Sequence, residues 1–342
     1  MRGGGATALV ARDAELARAL RAVTRDRGVL VVGAAGAGRT AFAAAIAGEL
    51  AAAPVEWLVA TDATRLTPFG ALASLLPPES AGVHPAVVTG LVRRALRERP
   101  GTLLVVDDAQ HLDAGSAAVL LALAVGRDAR LVVTMRAGAT ASDAVVALWK
   151  DGLLDRVDLA PLDRDAARAL VLARLTAGPD RPGTDQGGPA RAGGGTGRGG
   201  GDAGGGSPVL AEGAVELLWR ASRGNPLYLT ELVRYGVDTG RLRPEGGVWW
   251  WDGDAGAVPP RLGELLRRRL DDLSPAAVDA VRALAMGEPL PYETLTAVSS
   301  DAGVLELDDR ELLAADDRDG VLRLRFAHPL LHAAAAGRLT PA

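Results

Sequence analysis

Residues 28–47 read GVLVVGAAGAGRTAFAAAIA, an apolar run, a glycine-rich loop and an alanine-rich stretch in immediate succession. The spacing predicts a short strand, a tight loop and a helix. Glycines at 33, 36 and 38 remove the side chains that would separate backbone from ligand, so successive amide N–H groups can converge on phosphate oxygens at a helix N-terminus. The candidate phosphate cradle is Gly33, Ala34, Ala35, Gly36, Ala37 and Gly38, with Arg39, Thr40 and Ala41 opening the helix. Thr40 offers a hydroxyl to Mg²⁺. The loop departs from G-x-x-x-x-G-K-[ST] at one position, because Arg39 stands where lysine is expected.

A second segment gives the loop a partner. LLVVDDAQHLD at 103–113 is an apolar strand that delivers two carboxylates at its end, which is where open α/β sheets bind ligands. Asp107 would hold Mg²⁺ directly or through water, and Asp108 would orient or deprotonate the water that attacks the γ-phosphate. The plain alternative is a pair of aspartates that caps the next helix. Arg136, which follows the apolar run at 131–134, would sit on the same rim and sense the γ-phosphate, or else be a solvated surface arginine. His328, in FAHPLL, would reach a β-phosphate if the chain folds back, or else cap or pack a terminal helix.

A guanidinium keeps the charge of the missing lysine but is bulkier and more directional, so the exchange is not conservative at a tight phosphate site. Lys150 is the only lysine in the chain, so Arg39 also follows a general bias. Asp108 is shorter by one methylene than a glutamate and places a water less surely. Slow hydrolysis, or none, is expected.

Short apolar runs alternate with helical stretches, with strand candidates at 29–32, 55–60, 102–106, 131–134 and 156–159, a pattern that predicts a parallel sheet covered on both faces. This α/β domain is expected to span 1–177. From 178 to 208 the composition collapses into Gly, Pro, Arg and Asp, read as a flexible linker or a mobile surface insertion. A helical domain with a Trp-rich hairpin is expected at 209–257, and a winged helix at 258–342, its strands drawn from LELDD and VLRLRF within 303–327.

Formal charge −4 offers no general field for nucleic acid or anionic lipid, so direct DNA binding by this chain is not expected. The absence of cysteine excludes disulfides and thiolate metal sites and agrees with a cytoplasmic location. No stretch is apolar enough for a membrane span or a signal peptide.

With both motifs in place, the chain resembles the STAND class of P-loop ATPases, close to AAA+ proteins, and within it the large LuxR-type regulators. LVARDAELARAL at 9–20 is similar to the family opening L-V-G-R-E-x-E-L, with Ala11 in place of its glycine. RGNPLYLTELV at 223–233 is similar to the family's G-N-P hinge, and VPPRLGELLRRRLDDLSPAA at 258–277 to its passage into the winged helix. FAHPLLHAAA resembles its closing segment. The resemblance implies that Val10 and Arg12 border the adenine, that Pro226 lies against the base, and that His328 contacts the β-phosphate of ADP. It implies ATP/ADP and Mg²⁺ as cofactors and a switch that ADP holds closed and ATP opens for self-association, favoured by an inducer or regulatory protein. Such regulators continue into helical repeats and a helix-turn-helix, which this chain, ending at Ala342, does not reach. The alternative is a degenerate scaffold that keeps the fold for protein interaction and no longer answers to nucleotide.

Overall fold

The computed structural model describes residues 9–25, 28–50, 52–77, 83–177, 208–253, 259–318 and 320–339. Helix α1 (Asp13–Thr24) leads into β1 (Val29–Gly33), which is followed by α2 (Arg39–Glu49), β2 (Val55–Val59), the single turn α3 (Asp62–Arg65) and α4 (Pro85–Arg97). The pattern continues through β3 (Leu103–Asp107), α5 (Ala114–Gly126), β4 (Arg130–Arg136), α6 (Asp143–Lys150), β5 (Asp155–Leu159) and α7 (Arg164–Ala177). All five strands pair in parallel, in the order β2-β3-β4-β1-β5, as the alternation of apolar runs and helices led us to expect.

Alternate residues of the central strands feed two cores. Val29, Val31, Leu103, Val105 and Val132 pack with α1 and α2 on one face, while Leu30, Val32, Leu104, Val106, Leu131 and Val133 pack with α4, α5 and α6 on the other. Burial on both faces explains why β1 and β3 read as unbroken apolar runs rather than as an alternation. Each such leucine stabilises the sheet by roughly 2 kcal/mol through removal from water.

Residues 178–207, most of the expected linker, lie outside the described residues. The second half opens with β6 (Val209–Leu210), α8 (Glu212–Ser222) and α9 (Pro226–Asp238). The two helices are separated because Arg223 and Gly224 take positive φ and Asn225 caps α9 through its side-chain oxygen. The hairpin β7 (Leu242–Glu245) and β8 (Val248–Trp251) turns at Gly246 and Gly247, both at positive φ, as the Gly-Gly pair predicts. Trp249 and Trp251 pack inward and Trp250 faces out, the alternation a strand requires. Leu162, Ala167, Leu170 and Val171 share this helical core, so α7 packs with α8 and α9.

The remainder comprises α10 (Pro260–Asp271), α11 (Pro275–Met286), β9 (Leu290–Pro291), α12 (Tyr292–Val298), α13 (Asp301–Asp309), β10 (Leu313–Arg318), β11 (Val321–Phe326) and α14 (Pro329–Leu339). Strands β10, β11 and β9 form an antiparallel sheet over one helical core. The reading of LELDD as a strand is corrected: it lies in α13. Ser300 caps that helix through Gly303 N–H, and Val304 and Leu307, one helical turn apart, are buried while Leu305 is exposed. The first long strand of this sheet is instead β10, the LAADDR segment that follows.

Candidate nucleotide site

The β1–α2 loop lies at the carboxyl edge of the sheet. Gly33 is in register with Arg136 of β4, so the loop's first residue and that arginine are neighbours on one rim. Gly36 and Gly38 hold φ of 80° and 90°, the left-handed region that costs a side-chain-bearing residue about 1–2 kcal/mol. Helix α2 starts without a side-chain cap, leaving its first amides to an external acceptor.

Asp107 and Asp108 occupy different environments although they are adjacent. Asp107 is buried and accepts from Thr40 Oγ1 at 2.8 Å and from Thr134 Oγ1 at 2.5 Å. Asp108 turns away at φ 57° and accepts from Arg39 Nη2 at 2.8 Å and from Gln110 Nε2 at 3.1 Å. Its own N–H donates to Thr134 Oγ1, so one threonine holds the carboxylate of Asp107 and the backbone of Asp108. The pair does not cap the following helix; Asp113 does, by accepting from Ser116 N–H.

Arg39 is spent largely inside the loop. Its Nη1 donates to Gly33 O at 2.6 Å and Ala34 O at 2.9 Å, while Nε is buried with no partner among the described residues. That orphan donor and the uncapped start of α2 both fit an anion above the loop.

The GNP turn closes the loop from the other side. Asn225 Nδ2 donates to Ala35 O at 2.9 Å and Leu227 N–H to Gly36 O at 3.3 Å. A Cβ on Gly36 would come within 2.7 Å of Asn225 Oδ1, so the glycine is required for this approach as well as for its φ.

Beside the loop lies a narrow, mostly apolar cleft of about 80 Å³. Leu9, Val10 and Arg12 line it from before α1, Gly38, Ala41 and Phe42 from the loop and α2, and Pro226 and Thr230 from α9. Arg12 is held by Glu15 and by the Ala160 carbonyl, which ties this N-terminal segment to the exit of β5. Ala11 takes φ 58°, a backbone conformation for which glycine carries no penalty. Arg174 of α7 also lines the cleft, a residue the sequence reading missed because nothing local marks it.

Arg136 and His328 stand as follows. Arg136 Nε pairs with Glu311 Oε2 at 3.0 Å, and its Nη2 donates to Arg310 O at 2.8 Å. His328 is buried in the C-terminal core, edge-on to Tyr228 at 4.3 Å, and its Nδ1 accepts from Leu330 N–H. Burial pushes His328 down to about 4, the Ser222 carbonyl opposes this, and Arg223 and Arg269 lower it further. It is therefore neutral near pH 7.

Two solved structures are similar to this chain in fold. Orc1 of Aeropyrum pernix, solved in complex with DNA, matches with a TM-score of 0.53 at 17% identity, covering 96% of this chain and 93% of that one. A Walker-type ATPase of Pyrococcus abyssi matches with a TM-score of 0.54 at 15% identity, covering 96% of each chain. This chain has a P-loop ATPase fold. No protein-family model matches the sequence, and no curated protein does. The P-loop ATPase fold accounts for the neighbouring positions of the loop, the paired aspartates and Arg136. Among the described residues no cluster of three or more His, Asp or Glu could hold a metal ion by itself. No helix among the described residues is long and apolar enough to cross a membrane.

Proposed function

We propose that the chain is an ATP/ADP-binding switch module of the STAND type, from a LuxR-type regulator, with slow or no hydrolysis. The observation that carries this reading is the convergence on one loop of three distant segments. The paired aspartates stand behind it, Asn225 of the GNP turn bonds Ala35 O, and the turn between α13 and β10 reaches it through Arg136 and Glu311. A nucleotide at the loop would contact or displace those segments, which couples its identity to their arrangement.

In this reading residues 1–177 bind nucleotide, 178–208 join, 209–257 form the helical part and 258–342 a winged helix, with β10 and β11 as the wing. Amides of Gly36 to Ala41 and Arg39 Nε would hold phosphates, and Thr40 and Asp107 would hold Mg²⁺. Val10, Arg12 and Pro226 would border the base. Mg²⁺ supplies positive charge at the β and γ oxygens. His328 would contribute a neutral imidazole near pH 7, with no cationic charge toward phosphate.

The partners of Arg39 support binding without turnover. Asp108 Oδ1 accepts from that guanidinium at 2.8 Å and from Gln110 Nε2 at 3.1 Å, so one of the two carboxylate oxygens is held by neighbouring side chains. The proposed setting is cytoplasmic, with self-association or an inducer as the further partner and no direct DNA contact by this chain.

Thermal unfolding in the presence of Mg·ADP tests the reading. A ligand at 100 times its Kd stabilises the folded state by about 2.7 kcal/mol, so the unfolding midpoint is expected to rise by several degrees. An unchanged midpoint at millimolar ADP would favour the scaffold alternative.

A further inference from the structure

We propose that Glu311 is a built-in competitor of the nucleotide's terminal phosphate, a carboxylate that closes the empty loop and must leave before a triphosphate can seat. The proposal rests on nucleotide binding at this loop and adds the device that regulates it.

Two groups of the site face this one residue. Its Oε2 ion-pairs with the Arg136 guanidinium, 3.0 Å from Nε but outside hydrogen-bond geometry, and lies 3.5 Å from Ala35 N, a long contact to a loop amide. The nucleoside cleft abuts Gly38 and Ala41, whereas Ala35 and Arg136 lie toward Gly33, at the opposite end of the cradle. A nucleotide with its base in the cleft therefore reaches Arg136 with its last phosphate. Carboxylate and phosphate oxygens want the same guanidinium, and both cannot have it.

Local chemistry argues against a purely structural role. Glu311 is the left-handed residue that ends α13, at φ 54°, with Leu312 N–H bonding Leu307 O across the turn. That position favours glycine or asparagine, and glutamate is a poor choice for it. A strained residue that breaks the local rule is expected where its side chain performs a function. The turn is also anchored from two sides, since Arg136 Nη2 and Arg269 Nη2 both donate to Arg310 O at 2.8 Å. The arginine expected to sense phosphate thus holds the C-terminal unit through a side chain and through a carbonyl.

The displacement energy follows from which ligand asks for Arg136. A triphosphate competes with Glu311 directly, and its apparent affinity falls by the fraction of molecules in which the carboxylate has left. A diphosphate leaves the contact in place. The empty and ADP-bound forms are then closed, and ATP binding is coupled to release of the turn between α13 and β10.

Calorimetric titration of Glu311→Gln and Glu311→Gly with Mg·ATP and Mg·ADP tests this. The glutamine keeps shape without charge, and the glycine suits the left-handed backbone, so at least one variant retains the fold. Both are expected to bind ATP about tenfold more tightly than the wild type, with ADP changed less than about twofold. Equal tightening for both nucleotides, or none for either, would overturn the proposal while leaving nucleotide binding intact. A second readout needs no nucleotide. The chain has no cysteine, so spin labels at Leu66→Cys and Met286→Cys, residues 86% and 80% exposed, report the separation of the two halves directly. Without ligand, a longer-distance population is expected in the Glu311 variants. If the wild type binds no nucleotide at all, the functional reading fails, and unchanged label distances would then reject the latch as well.

Discussion

Gly224→Ala is expected to destabilise the protein by about 3 kcal/mol and to abolish the contact between the GNP turn and the phosphate loop. Gly224 holds φ 72°, which alone costs an alanine about 1–2 kcal/mol. The larger cost is steric, because an added Cβ would run into the Leu162 carbonyl oxygen, with Leu162 N at 2.9 Å and C at 3.1 Å. These are backbone atoms that cannot swing aside, and Leu162 N–H also donates to Gly224 O at 2.8 Å. Relief therefore means separating the β5 exit from the turn that carries Asn225. Gly246→Ala is the internal control: its φ is 58° and nothing lies within 4 Å of its added Cβ, so only the backbone term of about 1 kcal/mol applies. Denaturant unfolding of both variants separates the two costs, and equal losses would contradict the packing described for the hinge.

Asp107→Asn is expected to weaken Mg·ATP binding about a hundredfold, near 2.7 kcal/mol, while binding of ATP in chelator changes little. The substitution preserves the local hydrogen bonds. The amide oxygen still accepts from Thr134 Oγ1, and the amide nitrogen can donate to Thr40 Oγ1, which rotates to accept. What is lost is the negative charge, and that charge matters to the metal more than to the fold. A variant that weakened both titrations equally would show Asp107 acting through structure alone.

The five parallel strands were legible in the sequence to within one or two residues, the central β1 and β3 most plainly because burial on both faces makes each an unbroken apolar run. So was the phosphate loop, whose glycines and threonine are contiguous. LELDD was misread because five residues of alternating leucine and acid fit two periods equally, and the cap from Ser300 decided between them. The partners of the site were less accessible. Thr134 lies in a strand read only for its apolarity, and its hydroxyl fixes both aspartates. Glu311 meets Ala35 across 276 residues, a contact with no local signature. The GNP turn was placed near the base by resemblance alone, whereas its asparagine bonding the loop carbonyl of Ala35 needed coordinates.

The switch reading and the latch both depend on the uncapped start of α2 and the orphan Arg39 Nε being completed by nucleotide phosphates. Isothermal titration of the wild-type chain with Mg·ADP tests that claim most directly. A one-to-one isotherm with a micromolar or tighter Kd is the predicted result; the absence of saturable heat up to millimolar ADP would contradict it.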